Sequence, residues 1–130
     1  MSSRNKAARV LVLLGAIVLF VSAAMHCLAY LKLSPAVGAS NLSAPLQSVA
    51  RATFLSMAWG WIVIAIVALV AAFGEARLRK ALVLICGLAI LAETGLTLAL
   101  VGLFIGNELI GSGGLLLLLG GLLFQGDPAG

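Results

Sequence analysis

An all-α polytopic membrane protein, built as a four-helix transmembrane bundle, is the fold class this sequence predicts, and two observations carry it. Hydrophobic residues make up 63% of the 130-residue chain and charged residues 9%, with a mean hydropathy of +1.24. A soluble domain carries roughly 45–50% apolar and about 25% charged residues, so these few charges could not cover a water-facing surface. The apolar residues also fall into four long runs with short polar breaks. Four helices of about 20 residues each nearly exhaust the length, which leaves a single membrane domain over 1–130.

The first run covers 10–31, behind the basic residues Arg4, Lys6 and Arg9. Its start also fits a cleavable signal peptide, with Ser22-Ala23-Ala24 as a small-residue cleavage site, which would leave three spans. The run continues through Cys27 to Leu31, however, and its length of about 22 residues suits a spanning helix better than a signal core. Residues 32–51 read as an outer loop rich in breakers: Pro35, Gly38, Asn41, Ser43 and Pro45. Ser43-Ala44-Pro45 reads as a helix start, because Ser can cap and Pro is tolerated in the first turn. Leu46, Val49 and Ala50 then give a short amphipathic approach to the membrane.

The second span, 52–73, is uncharged, and 74–80 reads as a basic loop containing Arg77, Arg79 and Lys80. The third, 81–105, contains Glu93, and Gly106-Asn107-Glu108 reads as a turn. The fourth, 109–124, is studded with Gly111, Gly113, Gly114, Gly120 and Gly121. At about 16 residues it reaches roughly 24 Å, short of a typical core of about 30 Å, so a plain span stands beside a re-entrant hairpin. The tail from Gln125 is too short to fold alone.

Arg4, Lys6 and Arg9 lie on the same side as Arg77, Arg79 and Lys80, against only Lys32 and Arg51 on the other. The positive-inside rule therefore places both termini in the cytoplasm. The scatter of basic residues makes the lipid bilayer the expected partner and excludes a nucleic-acid patch. Cys27 and Cys86 form no CxxC pair and read as small hydrophobes, so no metal or dithiol motif is expected. No phosphate loop or HExxH helix is present, and no cofactor or catalytic residue is assigned.

Glu93 is the most informative residue. Near the middle of a span, a carboxylate costs several kcal/mol unless it is protonated, paired or facing water. It reads as a proton carrier or binding carboxylate, or else as a structural hydrogen-bond partner between helices. Helical spacing puts Cys86, Ala89, Glu93 and Thr97 on one face. A second stripe, Ala92, Gly95, Ala99, Gly102 and Gly106, offers a close-packing surface for another helix. The third helix is therefore expected to be packed on both faces, at the centre of the bundle.

The alternating helix directions put His26, Ser56, Trp59 and Thr97 in the outer half, above Glu93, with Lys32, Arg51 and Glu108 around the mouth. A polar pocket floored by Glu93 is geometrically possible there. Each member also has a plainer reading. His26 can be an interfacial hydrogen-bonding imidazole, and Trp59 and Trp61 can be space-fillers between helices. His26 as a haem ligand would need Met25 or Met57 as its second partner, and a hydrolase would need Ser22 or Ser56 beside it. His26 and Glu93 differ in depth by roughly 10 Å, too far for a direct pair without tilt or water.

Leu33-Ser34-Pro35, Arg51-Ala52 and Arg77-Leu78-Arg79-Lys80 resemble the layout of small uncharacterised four-span bacterial integral membrane proteins. That resemblance implies a bacterial inner membrane and no particular activity. The chain is similar in length to small multidrug transporters, whose essential Glu lies in the first helix, where this chain has His26. It is similar in helix number to quinone-linked thiol oxidoreductases of the vitamin K epoxide reductase type, whose CxxC it lacks. Two functional expectations remain. One is association, as an accessory subunit or assembly factor, through the small-residue stripe. The other is a small proton-coupled transporter or ligand-binding membrane protein using Glu93, as a homodimer.

Overall fold

A computed structural model of the protein describes residues 2–74 and 76–125. Four helices run in order: α1 Ser3–Gly38, α2 Ala44–Phe73, α3 Ala76–Val101 and α4 Ile105–Leu123. Each is long and apolar enough to cross a bilayer, which makes this an integral membrane protein. The helices pack as an antiparallel ring, each against its chain neighbours, with α1 closing on α4 and α2–α3 the sparsest contact.

The helices exceed the expected spans. Ser2 caps α1 by accepting from the Asn5 N–H at 3.2 Å. The helix runs on through Pro35, so the expected loop 32–51 shrinks to residues 39–43. A proline in a helix removes one N–H donor; next to it, Arg51 donates to the Ser34 carbonyl at 3.0 Å and ties the last turn of α1 to α2. Helix α2 opens at Ser43-Ala44-Pro45 as expected, although the Ser43 side chain makes no capping bond. Most of the expected basic loop 74–80 is instead the first turn of α3, and Glu75 of that loop lies outside the described residues, as does the tail beyond Gln125.

Residues 3–24 belong to the bundle. Ala8, Val12, Ala16, Leu19 and Ala23 are buried along one side of α1, and a Cβ at Gly113 or Gly120 of α4 would strike Leu19 or Val12. Cleavage after Ala24 would remove this wall of the core. The inward face of α2 is Ala58, Trp61, Ala65, Ala68 and Ala72, at alternating spacings of three and four. Such spacing keeps one seam inward along a gently supercoiled helix.

Helix α4, not α3, lies at the close-packed centre. Its Gly113 and Gly120 face α1, while Gly114 and Gly121 face Ile90 and Leu84 of α3, and Gly87 of α3 meets the α4 backbone. Glycines on both sides let three helices approach closely, and close van der Waals packing is what holds helices together in lipid. The stripe expected on α3 does not serve this purpose within the chain. Ala92, Gly95 and Ala99 are exposed, and a Cβ on Gly95 would meet nothing within 4 Å. The stripe also ends early, because α3 stops at Val101 and Gly102 turns the chain with φ +91°, a conformation that favours glycine. Gly106, Asn107 and Glu108, expected as the turn, are already in the first turns of α4. The fourth run is a plain helix of 19 residues, about 28 Å long.

One end of the bundle is basic. There Arg9 lies over the Phe73 ring at 5.3 Å and Arg79 over Phe124 at 5.5 Å, and Gln125 N–H donates to Asn5 Oδ1 at 3.0 Å. At the far end α1 and α2 project past the α3–α4 turn, because they are 36 and 30 residues long against 26 and 19.

Candidate functional site

A cavity of about 440 Å³ lies toward the far end, lined by all four helices. Its buried wall includes Ser22, Trp61, Asn107 and Ile110, and its rim is formed by the exposed apolar residues Met25, Val101, Phe104 and Ile105. A groove of about 420 Å³ between α2 and α3 at the basic end has Arg79 as its charged side chain. That guanidinium is committed to the Gly74 carbonyl at 2.8 Å and to the Phe124 ring.

His26 and Trp61 organise the cavity. The imidazole stacks on Phe54, with ring centroids 3.7 Å apart, and meets the edge of Trp61 at 4.9 Å. His26 Nε2 donates to the Phe54 carbonyl at 2.9 Å. Trp61, 1% exposed, donates its indole N–H to Glu93 Oε1 at 2.9 Å. Thus His26 and Glu93 do not pair directly, as expected from their depths, but the Trp61 indole touches both. Thr97 lines the cavity, with its hydroxyl given to the Glu93 backbone carbonyl.

No protein-family model, curated protein or solved structure matches this chain. What the site can do follows from its own side chains.

Of the expected pocket residues, His26 and Thr97 line the cavity, and Glu93 sits behind the indole rather than forming the floor. Ser56 and Trp59 are elsewhere. Ser56 is exposed and donates to the Thr53 carbonyl, and Trp59 is 67% exposed. The reason is angular: residues two apart on a helix point about 200° apart, so only one of Trp59 and Trp61 can face inward. Trp61 falls in the buried register of Ala58, Ala65, Ala68 and Ala72. Of the two serines weighed beside His26, Ser22 lines the cavity and donates its hydroxyl to the Val18 carbonyl at 2.8 Å, and Ser56 is exposed. Met25 and Met57 both line the cavity with His26.

Asn107 was legible only as a turn residue. In the structure it is 3% exposed, lines the cavity and donates from Nδ2 to the Gly102 carbonyl at 2.8 Å, holding the α3–α4 turn. Its Oδ1 is buried with no hydrogen-bond partner among the described residues.

The Trp61–Glu93 bond separates two roles for the carboxylate. Glu93→Gln keeps an oxygen acceptor for the indole and is expected to unfold within about 0.5 kcal/mol of the parent. Glu93→Leu strands a buried N–H and should cost about 1–3 kcal/mol. Unfolding in mixed micelles measures both, and equal losses would refute a hydrogen-bonding role for Glu93.

Proposed function

We propose that this protein is a small membrane-embedded binding protein that takes a lipophilic molecule from the bilayer into the cavity between its four helices. The observation that carries this reading is the cavity itself. Its volume is in the range of small-molecule sites, its lining is mainly apolar and aromatic, and a few polar groups converge on it. The apolar rim of Met25, Val101, Phe104 and Ile105 favours entry from lipid over entry from water. Glu93 then acts through Trp61, as the acceptor that fixes the indole against the cavity wall. The role is binding, with no reaction assigned to it.

The distribution of Lys and Arg supports an orientation with both termini cytoplasmic. The cavity then sits in the outer half of the bilayer.

Association is the second reading, favoured by the exposed small face of Ala92, Gly95 and Ala99 on α3. Small residues facing outward would let a helix of a second copy or of another membrane subunit approach closely.

The test is the intact mass of the protein extracted gently from its own membrane into nanodiscs. The expected result is a retained small-molecule adduct that disappears in Ala29→Trp, which fills the rim. A chain free of any adduct, or an adduct indifferent to Ala29→Trp, would sink the cavity reading. A defined complex with other polypeptides would promote the second.

A further inference from the structure

The cavity wall has a one-sided hydrogen-bonding character. Almost every donor in it is already used within the chain. The Ser22 hydroxyl goes to the Val18 carbonyl, Thr97 to the Glu93 carbonyl, Trp61 to Glu93 Oε1 and His26 Nε2 to the Phe54 carbonyl. Asn107 spends one amide hydrogen on the Gly102 carbonyl and keeps one.

One acceptor is unspent. A carbonyl oxygen has lone pairs only, so the bond to Phe54 fixes the proton of a neutral His26 on Nε2 and leaves Nδ1 as a bare acceptor. By the same logic the bond to Gly102 fixes the Asn107 amide, whose oxygen is buried out of contact with the cavity.

We infer that the cavity selects molecules with an apolar body and a hydrogen-bond-donating head, such as an alcohol or phenol, over molecules whose head only accepts, such as a ketone, quinone or ether. This rests on the binding role proposed above and specifies its ligand class. A head group that brings an O–H can bond His26 Nδ1. One that brings only lone pairs must leave that acceptor unmet and face it with its own. Sites built to hydrogen-bond a substrate hydroxyl reject analogues lacking it far more strongly than apolar pockets reject a missing methylene.

The test compares 1-dodecanol, dodecyl methyl ether and 2-dodecanone, each titrated as a mole fraction of the bilayer in nanodiscs. The Trp59→Phe protein leaves Trp61 as the sole tryptophan reporter. His26 is the only histidine, so ¹⁵N-histidine labelling isolates its ring nitrogens. The alcohol is expected to bind about tenfold more tightly than the ether or ketone, the value of one good hydrogen bond. The Nδ1 resonance of the unsubstituted protein should move with the alcohol alone, and His26→Phe should bring the three probes closer together. Equal affinities, a preference for the ketone, or an unmoved Nδ1 resonance would overturn the donor selectivity while leaving the cavity a binding site. No binding by any of the three would remove both.

Discussion

Trp61→Ala is expected to destabilise the bundle by about 3–5 kcal/mol, as large-to-small changes at buried aromatic positions do. Trp61 is the bulkiest fully buried side chain, and its neighbours come from three directions: His26 on α1, Glu93 on α3 and the alanine register of its own helix. Truncation would remove packing contacts, leave Glu93 Oε1 without its donor and join the vacated volume to the ligand cavity. Trp59→Ala is the internal control. That side chain is already in contact with lipid, and its removal should change stability by no more than about 0.5 kcal/mol. Steric-trap unfolding in bicelles reads both variants directly. Comparable losses at the two positions would mean that Trp61 is not the keystone that the packing indicates.

Gly87→Ala should be nearly as disruptive, although it adds a single methyl group. A Cβ at Gly87 would stand 2.6 Å from the Leu118 nitrogen, 2.9 Å from its Cα and 3.1 Å from the Gly114 carbonyl oxygen. All three are backbone atoms of α4, so no rotamer change relieves the clash and the helices must part. Overpacking of this kind costs about 1–3 kcal/mol, and spreading the helices would loosen the contacts of Gly114 and Gly121 as well. Gly95→Ala, on the same helix, meets open space and should be neutral or stabilising by up to about 1 kcal/mol. The pair discriminates sharply: a stable Gly87→Ala protein would show that α3 and α4 are not in close contact, and a disrupted Gly95→Ala protein would point to a partner on that face.

These contrasts mark how far the sequence can be read. The lipid environment, the four apolar runs and the α2 start at Ser43-Ala44-Pro45 are all legible in composition and local chemistry. So is the exceptional status of Glu93, because burying an ionisable group in hydrocarbon is costly wherever the helix happens to point. The helix limits were less legible. Pro35 and Gly38 suggested a loop, yet α1 runs through both, where Arg51 bonds the last turn and the absent Gly38 side chain leaves room for the guanidinium.

Facing was not legible at all. In water the apolar stripe of a helix announces its buried side, but in a bilayer the lipid-facing side is equally apolar and the contrast vanishes. Small residues are the remaining signal, and two sets competed: Ala92, Gly95 and Ala99 on α3 against Gly113, Gly114, Gly120 and Gly121 on α4. Composition and hydropathy thus suffice to establish the solvent, the number of helices and the polar residues within them. The choice of α4 as the tight centre, of Trp61 over Trp59, and of Asn107 as a cavity residue came from the packing of the four helices. Such packing depends on complementary shapes between residues distant in the chain, and no single helix encodes it.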